Sequence, residues 1–222
     1  MARHLAIGDI HGCITALRSL IEAVGLHADD TIVTLGDYVD RGPDSRAVLD
    51  FVIDLGETHH LVALRGNHEI MMLDARKKKS WFEPWMRYGG AATLNSYGDS
   101  FDNIPESHIR FLENSLRSCY ECETHFFVHA NVNPNVPLAD QSDAALYWQR
   151  FKDPQRHCSG KIMVCGHTPQ QSGLPLDNGN AICIDTFAYG GGWLSCLEVE
   201  SGAVWQANEA GETRSLGADS QN

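Results

Sequence analysis

The amino-acid sequence predicts an α/β protein in which two β-sheets pack on each other. In the N-terminal half, short apolar runs alternate with longer amphipathic runs, which is the pattern of strands joined by helical crossovers in a parallel sheet. From residue 116 onward, short strand-like runs are separated by loops. We therefore expect the second half to supply a second sheet that covers the first.

Each predicted element is recognised by its apolar spacing and by its end signal. Residues 4–7, 31–35 and 60–64 are short apolar runs typical of strands. Apolar residues recur at helical spacing over residues 14–24 and 47–55, and each series stops at a glycine, Gly25 or Gly56. Residues 67–115 are expected to be helical, with breaks at residues 89–90 and at Pro105. Further strands are expected at residues 118–122, 126–129, 161–165, 181–185, 193–199 and 203–206.

Length and composition favour one globular domain over residues 1–207. The chain has 222 residues, of which 43% are hydrophobic, and this is enough for a buried core. We find no internal repeat and no low-complexity linker before residue 207. Residues 208–222 are polar, and we expect them to form a C-terminal tail with nothing to pack.

The charge balance excludes several classes of partner. The formal net charge of −12 argues against a nucleic-acid-binding face, because such a face needs many basic residues. We find no targeting signal and no apolar run near the roughly 20 residues of a membrane helix. The cysteine count of seven is odd, which favours free thiols in a reducing compartment. We therefore expect a cytoplasmic protein without a nucleic-acid or membrane partner.

The residues that carry chemistry stand where predicted strands end. They are Asp9 and His11 in GDIHG, Asp37, Asp40 and Arg41 in GDYVDRG, Asn67 and His68 in GNHE, and later His129 and His167. Taken alone, an Asp-x-His pair is typical of a cap or surface pair, and Asn67 is also a candidate helix N-cap. Together and in this order they predict one site, because the carboxyl ends of parallel strands meet at one edge of the sheet.

These motifs resemble those of the calcineurin-like metallophosphoesterases, in particular the phosphoprotein phosphatase branch. The resemblance runs from about residue 7 to residue 193, and the segments around His129 and over residues 147–150 resemble the short bacterial serine/threonine phosphatases. It implies a β-sandwich of two mixed sheets with βαβ units, flanked by helices and carrying a small helical cap. Symmetrical diadenosine tetraphosphate hydrolases share the same motifs.

The resemblance also implies a set of site residues. One divalent metal ion would be held by Asp9, His11 and Asp37, and a second by Asp37, Asn67, His129 and His167. Oxygen and imidazole donors suit Mn²⁺ as the expected metal, with Fe or Zn²⁺ as alternatives. A hydroxide bridging the two metals would attack phosphorus directly. His68 resembles the family's general acid, and Asp40 would hold and polarise its imidazole. Arg41 and Arg150 resemble the arginines that bind the phosphate, and Arg156 is the alternative to Arg150.

The function implied is that of a metal-dependent phosphoric ester hydrolase. A protein serine/threonine phosphatase acting on a phosphorylated protein or small phosphoester is favoured. A symmetrical diadenosine tetraphosphate hydrolase or related phosphodiesterase is the first alternative, and a catalytically silent binding module is the second. Phe187 stands where relatives usually have glycine, and we expect its ring to narrow the pocket or to stack on a base or aryl ester. The basic run at residues 76–79 is expected to be either a substrate anchor or a solvated helix face.

Overall fold

Two β-sheets pack face to face in the computed structural model, which describes residues 2–217. The strands are β1 His4–Ile7, β2 Thr31–Thr34, β3 His60–Ala63, β4 Cys119–Glu121, β5 His125–Val128, β6 Ile162–Cys165, β7 Leu176–Asp177, β8 Ala181–Cys183, β9 Leu194–Glu198, β10 Val204–Ala207 and β11 Thr213–Leu216. The first sheet has the order β11-β10-β9-β1-β2-β3, and the second has the order β4-β5-β6-β8-β7. Strands β1, β2 and β3 are parallel to one another, as are β5, β6 and β8.

Alternate residues of the first sheet face two different cores. Ala6, Val33 and Val62 point toward the second sheet, where they meet Phe127 and Val164. The neighbouring residues of the same strands, such as Leu5, Ile7 and Ile32, belong to the core beneath the helices. Both sets are buried because successive side chains of a strand point to opposite faces. The structure is therefore the predicted α/β sandwich, with helices outside the first sheet.

Most helices cover this outer face or build a cap beside the ends of the strands, whereas the helix over residues 143–148 packs on the second sheet. The helices are α1 Ile14–Val24, α2 Ser45–Thr58, α3 Asn67–Lys77, α4 Phe82–Trp85, α5 Ala91–Ser96, α6 Glu106–Arg110 and α7 Asp143–Trp148. Helix α1 ends at Gly25, whose φ of 62° is left-handed, as the sequence predicts. Helix α2 continues past Gly56, where the sequence predicted its end, because a glycine inside a helix weakens it without stopping it. None of the helices within residues 2–217 is long and apolar enough to cross a membrane.

The predicted grouping of the later strands is wrong in part. Strands β4 to β8 form the expected second sheet, but β9, β10 and β11 extend the first sheet: β9 pairs antiparallel with β1, β10 with β9 and β11 with β10. The prediction of a polar tail with nothing to pack is also wrong for residues 208–217. Strand β11 pairs with β10, and the Glu209 carboxylate accepts hydrogen bonds from Thr15 N and Ala16 N at the start of α1. Residues 218–222 of the predicted tail lie outside the described residues.

Candidate active site

Asp37 lies at the centre of the residues that the motifs place at the strand ends. Its Oδ2 is 3.4 Å from His11 Nε2, and its Oδ1 is 3.5 Å from His129 Nε2. Its Oδ2 is also 4.0 Å from His68 Nε2, and the carboxylate is almost fully buried. The ends of β1, β2, β3 and β5 therefore meet at one point between the two sheets.

Asn67 completes this cluster from the start of helix α3. Its Oδ1 is 2.9 Å from His129 Nε2 and 3.0 Å from His167 Nδ1. Asp37 belongs both to a group with His11 and His68 and to a group with His129 and His167, and in each group the nitrogen and oxygen atoms lie within 4.8 Å of one another. Two adjoining groups of metal-ligating atoms thus share one carboxylate.

Backbone carbonyls orient three of the four histidines around Asp37, namely His11, His129 and His167. His11 Nδ1 lies 2.8 Å from Val39 O, and His129 Nδ1 lies 2.9 Å from Leu35 O. A ring nitrogen held by a carbonyl carries the proton, so the other nitrogen presents its lone pair to the cluster. His167 is held less tightly, with its Nε2 at 3.3 Å from Trp148 O.

Asp9 provides a direct test of whether a cation fits this site. Its Oδ2 accepts a hydrogen bond from His167 N at 2.9 Å, but its buried Oδ1 has no partner within the described residues. The buried Oδ2 of Asp185 is in the same situation. Burial and the charges of Asp185 and Asp37 raise the pKa of Asp9 well above its usual range. Buried carboxylate oxygens without partners are costly unless a cation satisfies them, so this donor set fits divalent metal ions.

The protonation states of the cluster favour metal binding as well. Burial raises the pKa of Asp37, but the surrounding imidazoles, led by His129, outweigh it and hold this pKa well below its usual range. Burial lowers the pKa of His11 and of His129, and it lowers that of His167 to about 4. The imidazoles lower the pKa of Asp37 only through their protonated forms, and once they have lost that proton their ring nitrogens are free to coordinate a metal.

His68 differs from the other imidazoles because it is supported by a second carboxylate. Its Nδ1 lies 2.7 Å from Asp40 Oδ2, and both side chains are buried. Asp40 also accepts hydrogen bonds from Trp85 Nε1 and Thr93 Oγ1, which fix its position. Burial lowers the pKa of His68, but the Asp37 and Asp40 carboxylates outweigh burial and raise it above the usual value. His68 therefore holds a proton more firmly than an isolated histidine does.

The loops that carry these residues adopt backbone conformations that L-amino acids rarely take. Residues with positive φ are His11 (46°), Asp37 (53°), Asp40 (73°), Arg41 (70°) and His167 (64°). Each such residue costs free energy that the surrounding contacts must offset. A close approach at Gly166 adds to this, because a Cβ there would collide with Asp9 Oδ1. Backbone strain thus coincides with the residues that face the cluster.

Glu69 fixes the backbone of the loop that carries Asp37. No role for Glu69 was predicted from the sequence. Its buried carboxylate accepts backbone hydrogen bonds from Gly66 at 2.8 Å, Asp37 at 2.9 Å and Tyr38 at 2.8 Å. Burial and the charge of Asp37 raise the pKa of Glu69 to about 7. The bond to Gly66 is a capping-box contact, which its position three residues after Gly66 signals; the bonds to the second loop have no local signal.

Arg41 is held from two directions. Its backbone N donates to Gly89 O in the helical cap at 3.2 Å. Its guanidinium lies 4.5 Å from the ring centroid of Tyr189 and has Nη1 3.0 Å from His11 Nε2. Tyr189 was not singled out from the sequence, because nothing local indicates that its ring lies beneath an arginine 148 positions earlier.

Phe187 does not have the place that the sequence predicted. Its backbone has a φ of 66°, in keeping with a position where glycine is expected. Its ring fills the space over Gly190, where an added Cβ would collide with it, and packs edge-on against Tyr189 at 4.8 Å. Tyr189, not Phe187, lines the cleft above the cluster.

This cleft has a volume of about 260 Å³ and opens directly onto the cluster. Its lining includes Asp37, Arg41, Asn67, His68, Tyr88, Trp148, Arg150, His167 and Tyr189. Arg156, the alternative to Arg150, lies elsewhere and donates to Gly160 O. Residues 76–79 do not line the cleft, and Lys77 pairs instead with Glu113 at 2.8 Å. Among the basic residues singled out from the sequence, Arg41 and Arg150 are therefore the two at the cleft.

Comparison with known proteins agrees with this geometry. The family model described as calcineurin-like phosphoesterase matches residues 2–193. Serine/threonine-protein phosphatase 1 of Salmonella typhimurium is 29% identical over 215 residues, covering 89% of this chain and 93% of that protein. The symmetrical bis(5'-nucleosyl)-tetraphosphatase of Proteus mirabilis is 46% identical over 85 residues, which are 38% of this chain and 30% of that protein.

Solved structures show the same fold at low sequence identity. A cold-active protein-tyrosine phosphatase of a Shewanella species has a TM-score of 0.70 and 18% identity, covering 97% of this chain and 80% of that one. A serine/threonine phosphatase of Saccharomyces cerevisiae has a TM-score of 0.59 and 17% identity, with 98% and 80% covered. With the family model matching most of its length, this chain belongs to the calcineurin-like phosphoesterase family and is a metallophosphoesterase, a hydrolase of phosphoric esters.

Proposed function

We propose that this protein is a dimetal-dependent phosphomonoesterase, and specifically a protein serine/threonine phosphatase of the bacterial type. The observation that carries the proposal is the Asp37 carboxylate shared by two groups of metal ligands, with the His68–Asp40 pair beside it. The similarity to the Salmonella typhimurium phosphatase over nearly the full length of both chains supports the substrate class. A cytoplasmic location is part of the proposal, since all seven cysteines are free.

The proposed metal ligands are the motif residues, with Asp37 shared by the two ions. In the first group of the cluster, Asp9 takes the ligand role in place of His68, which is assigned to proton transfer. Asp9, His11 and Asp37 would hold one ion, and Asp37, Asn67, His129 and His167 would hold the other. Oxygen and imidazole donors without thiolate favour Mn²⁺ over softer metals. When bound, the two ions would supply an activated water molecule as the nucleophile and neutralise charge on the phosphoryl oxygens.

Arg41 and Arg150 would bind the phosphoryl group from the two sides of the cleft. Arg41 enters from the second motif loop, and Arg150 follows helix α7 on the other wall. A guanidinium presents two parallel N–H groups that match two phosphoryl oxygens. These contacts would orient the phosphorus atom toward the cluster and place the leaving oxygen beside His68.

His68 would donate a proton to the leaving alkoxide through Nε2. Asp40 holds the opposite ring nitrogen, so the ring cannot rotate away from the cleft. The buried Asp40 carboxylate stabilises the protonated imidazole that this step needs. Proton transfer matters most when the leaving group is a poor one, such as the side-chain oxygen of serine or threonine.

A second candidate function is the symmetrical hydrolysis of dinucleoside tetraphosphates. The identity of 46% with the Proteus mirabilis tetraphosphatase over 85 residues favours it. The same metal ligands, arginines and His68 would serve this reaction, so the chemistry of the site does not separate the two candidates.

Product analysis separates them. After reconstitution with Mn²⁺, the protein is given a phosphoserine peptide and diadenosine tetraphosphate at equal concentration. Inorganic phosphate from the peptide, with the dinucleotide unchanged, is the expected result. Two ADP molecules with little free phosphate would assign the protein to nucleotide hydrolysis. Bound metal without turnover of any phosphoester would identify a silent binding module.

A further inference from the structure

Two exposed aromatic side chains, Tyr88 and Trp148, line the cleft above the cluster. We propose that they form an aromatic rim that binds a planar aromatic ring of the substrate next to its phosphoryl group. The inference deepens the proposed function, on which it rests, by naming the chemical class that the cleft prefers. It concerns recognition by the cleft walls and leaves the metal-site chemistry unchanged.

Both rings are exposed to solvent and have no ring partner within the described residues. Tyr88 is 56% exposed and Trp148 is 45% exposed, although large aromatic side chains in this fold are mostly covered. Within residues 2–217, neither ring makes an aromatic or cation–π contact, whereas Tyr189 in the same cleft packs against Arg41 and His11. Tyr189 therefore serves the protein itself, and the other two rings have free surface to offer to a ligand.

Both rings are anchored through backbone hydrogen bonds to residues of the proposed site. The carbonyl oxygen of Trp148 is 3.3 Å from His167 Nε2. Tyr88 directly precedes Gly89, whose carbonyl oxygen accepts the hydrogen bond from Arg41 N. One ring is thus fixed relative to a metal ligand and the other relative to a phosphate clamp. Their distance from a bound phosphoryl group is set by the fold, and only two side-chain torsions remain free in each ring.

The ligand that suits these two side chains is a flat aromatic ring. Faces of Tyr and Trp bind flat π-systems by stacking, and they do so with little regard to substituents. A cleft of about 260 Å³ is slightly smaller than most ligand pockets, so it suits a phosphoryl group with one ring beside it. Two sources share this chemistry: an aromatic side chain in a phosphopeptide and the base of a nucleotide.

The experiment compares three pairs of compounds that differ in an aromatic ring. The pairs are a phosphoserine peptide with Phe or Ala beside the phosphoserine, AMP or ribose 5-phosphate, and phenylphosphonate or methylphosphonate. Hydrolysis of the first two pairs is measured as kcat/KM, and binding of the phosphonates, which are not hydrolysed, is measured by calorimetry. Trp148→Leu and Tyr88→Leu test the rim, and Trp81→Leu is the control because Trp81 is equally exposed at 46% and does not line the cleft.

The wild-type protein is expected to prefer phenylphosphonate, and the aromatic member of at least one hydrolysed pair, by roughly tenfold. Trp148→Leu and Tyr88→Leu should reduce this preference, and Trp81→Leu should keep it. The pair that shows the preference identifies the source of the ring. Equal affinity for the two phosphonates, or a preference unchanged by both rim variants, would overturn the inference. If the protein hydrolysed none of the phosphoesters, the proposed function would be refuted instead. The phosphonate affinities would still test whether the aromatic rim binds a ring.

Discussion

The floor and the rim of the cleft are built in opposite ways. On the floor, Asp37 and His68 are 2% and 1% exposed, and buried partners surround both. On the rim, Tyr88 and Trp148 have half of their surface in solvent and no ring partner within the described residues. Rigid, buried groups suit chemistry, since their positions must hold within fractions of an ångström. Free aromatic faces suit recognition, so floor changes should act through the chemistry at the phosphoryl group and rim changes through the aromatic ring of the substrate.

The largest effect is expected at Asp37, because both groups of proposed metal ligands share it. Asp37→Asn removes the charge that attracts both ions and should lower kcat by at least about 100-fold on every substrate while reducing bound metal. Metal content by mass spectrometry and steady-state kinetics measure the two effects. Asp54→Asn is the matched control, since Asp54 lies exposed on helix α2. Normal metal content and normal turnover in Asp37→Asn would contradict the shared-ligand assignment.

His68→Asn should lower the rate of reaction without removing the bound metal ions. We expect metal to remain bound, and kcat on a phosphoserine peptide to fall by about 100-fold or more because the leaving alkoxide lacks a proton. The loss should be much smaller on p-nitrophenyl phosphate, whose leaving group needs no proton. A series of aryl phosphates with graded leaving-group pKa measures this dependence. An equal loss on all members of the series would argue against the acid role.

Tyr189 lies between the floor and the rim, and its effect should be intermediate. Tyr189→Leu removes the ring beneath the Arg41 guanidinium and should raise KM by about 2- to 30-fold, the range of a cation–π contact, with a smaller change in kcat. Tyr189→Phe keeps the aromatic face and should retain the wild-type KM. If the Leu and Phe variants behaved alike, the hydroxyl or the packing of the loop would matter instead of the contact with Arg41.

The sequence predicted the interior of the molecule better than its edges. Strands β1, β2 and β3 agree with their predicted ranges to within a residue, because each is an apolar run buried in the sandwich. Strands β7 and β11 were missed, since they lie at sheet edges and bury little apolar surface. The assignment of β9 and β10 to the wrong sheet has another cause: pairing between distant strands leaves no periodicity in either strand.

At the candidate site, residues within motifs were predicted from the sequence, whereas residues that act through distant contacts were missed. The motif residues from Asp9 to His167 were singled out from the sequence, and the structure brings them to one point; their roles remain predictions. Glu69 and Tyr189 were missed because each acts through contacts with a loop far away in sequence. The sequence analysis also predicted Phe187 at the cleft, but Tyr189 lies there instead. The prediction failed because the positive φ of Phe187 gives the chain a direction that the residue type does not indicate. Side-chain direction in a strained loop depends on backbone angles that residue type alone does not reveal.

The smallest effect is expected at Glu209, which lies away from the cleft and contacts the start of helix α1. Its carboxylate accepts from Thr15 N and Ala16 N at 3.3 and 3.1 Å, in the first turn of helix α1, where Cys13 supplies no side-chain cap. Glu209→Ala should lower the free energy of unfolding by about 1 kcal/mol, the usual loss for a removed cap and its favourable charge. Urea unfolding measures this loss, and Glu212→Ala is the control, since Glu212 is exposed and its side chain bonds Asn208. Because Glu209 touches neither cleft wall, kcat/KM should stay at the wild-type value on aromatic and non-aromatic substrates alike. A change in substrate preference would mean that the C-terminal hairpin also shapes the rim, and the division between floor and rim would then have to include it.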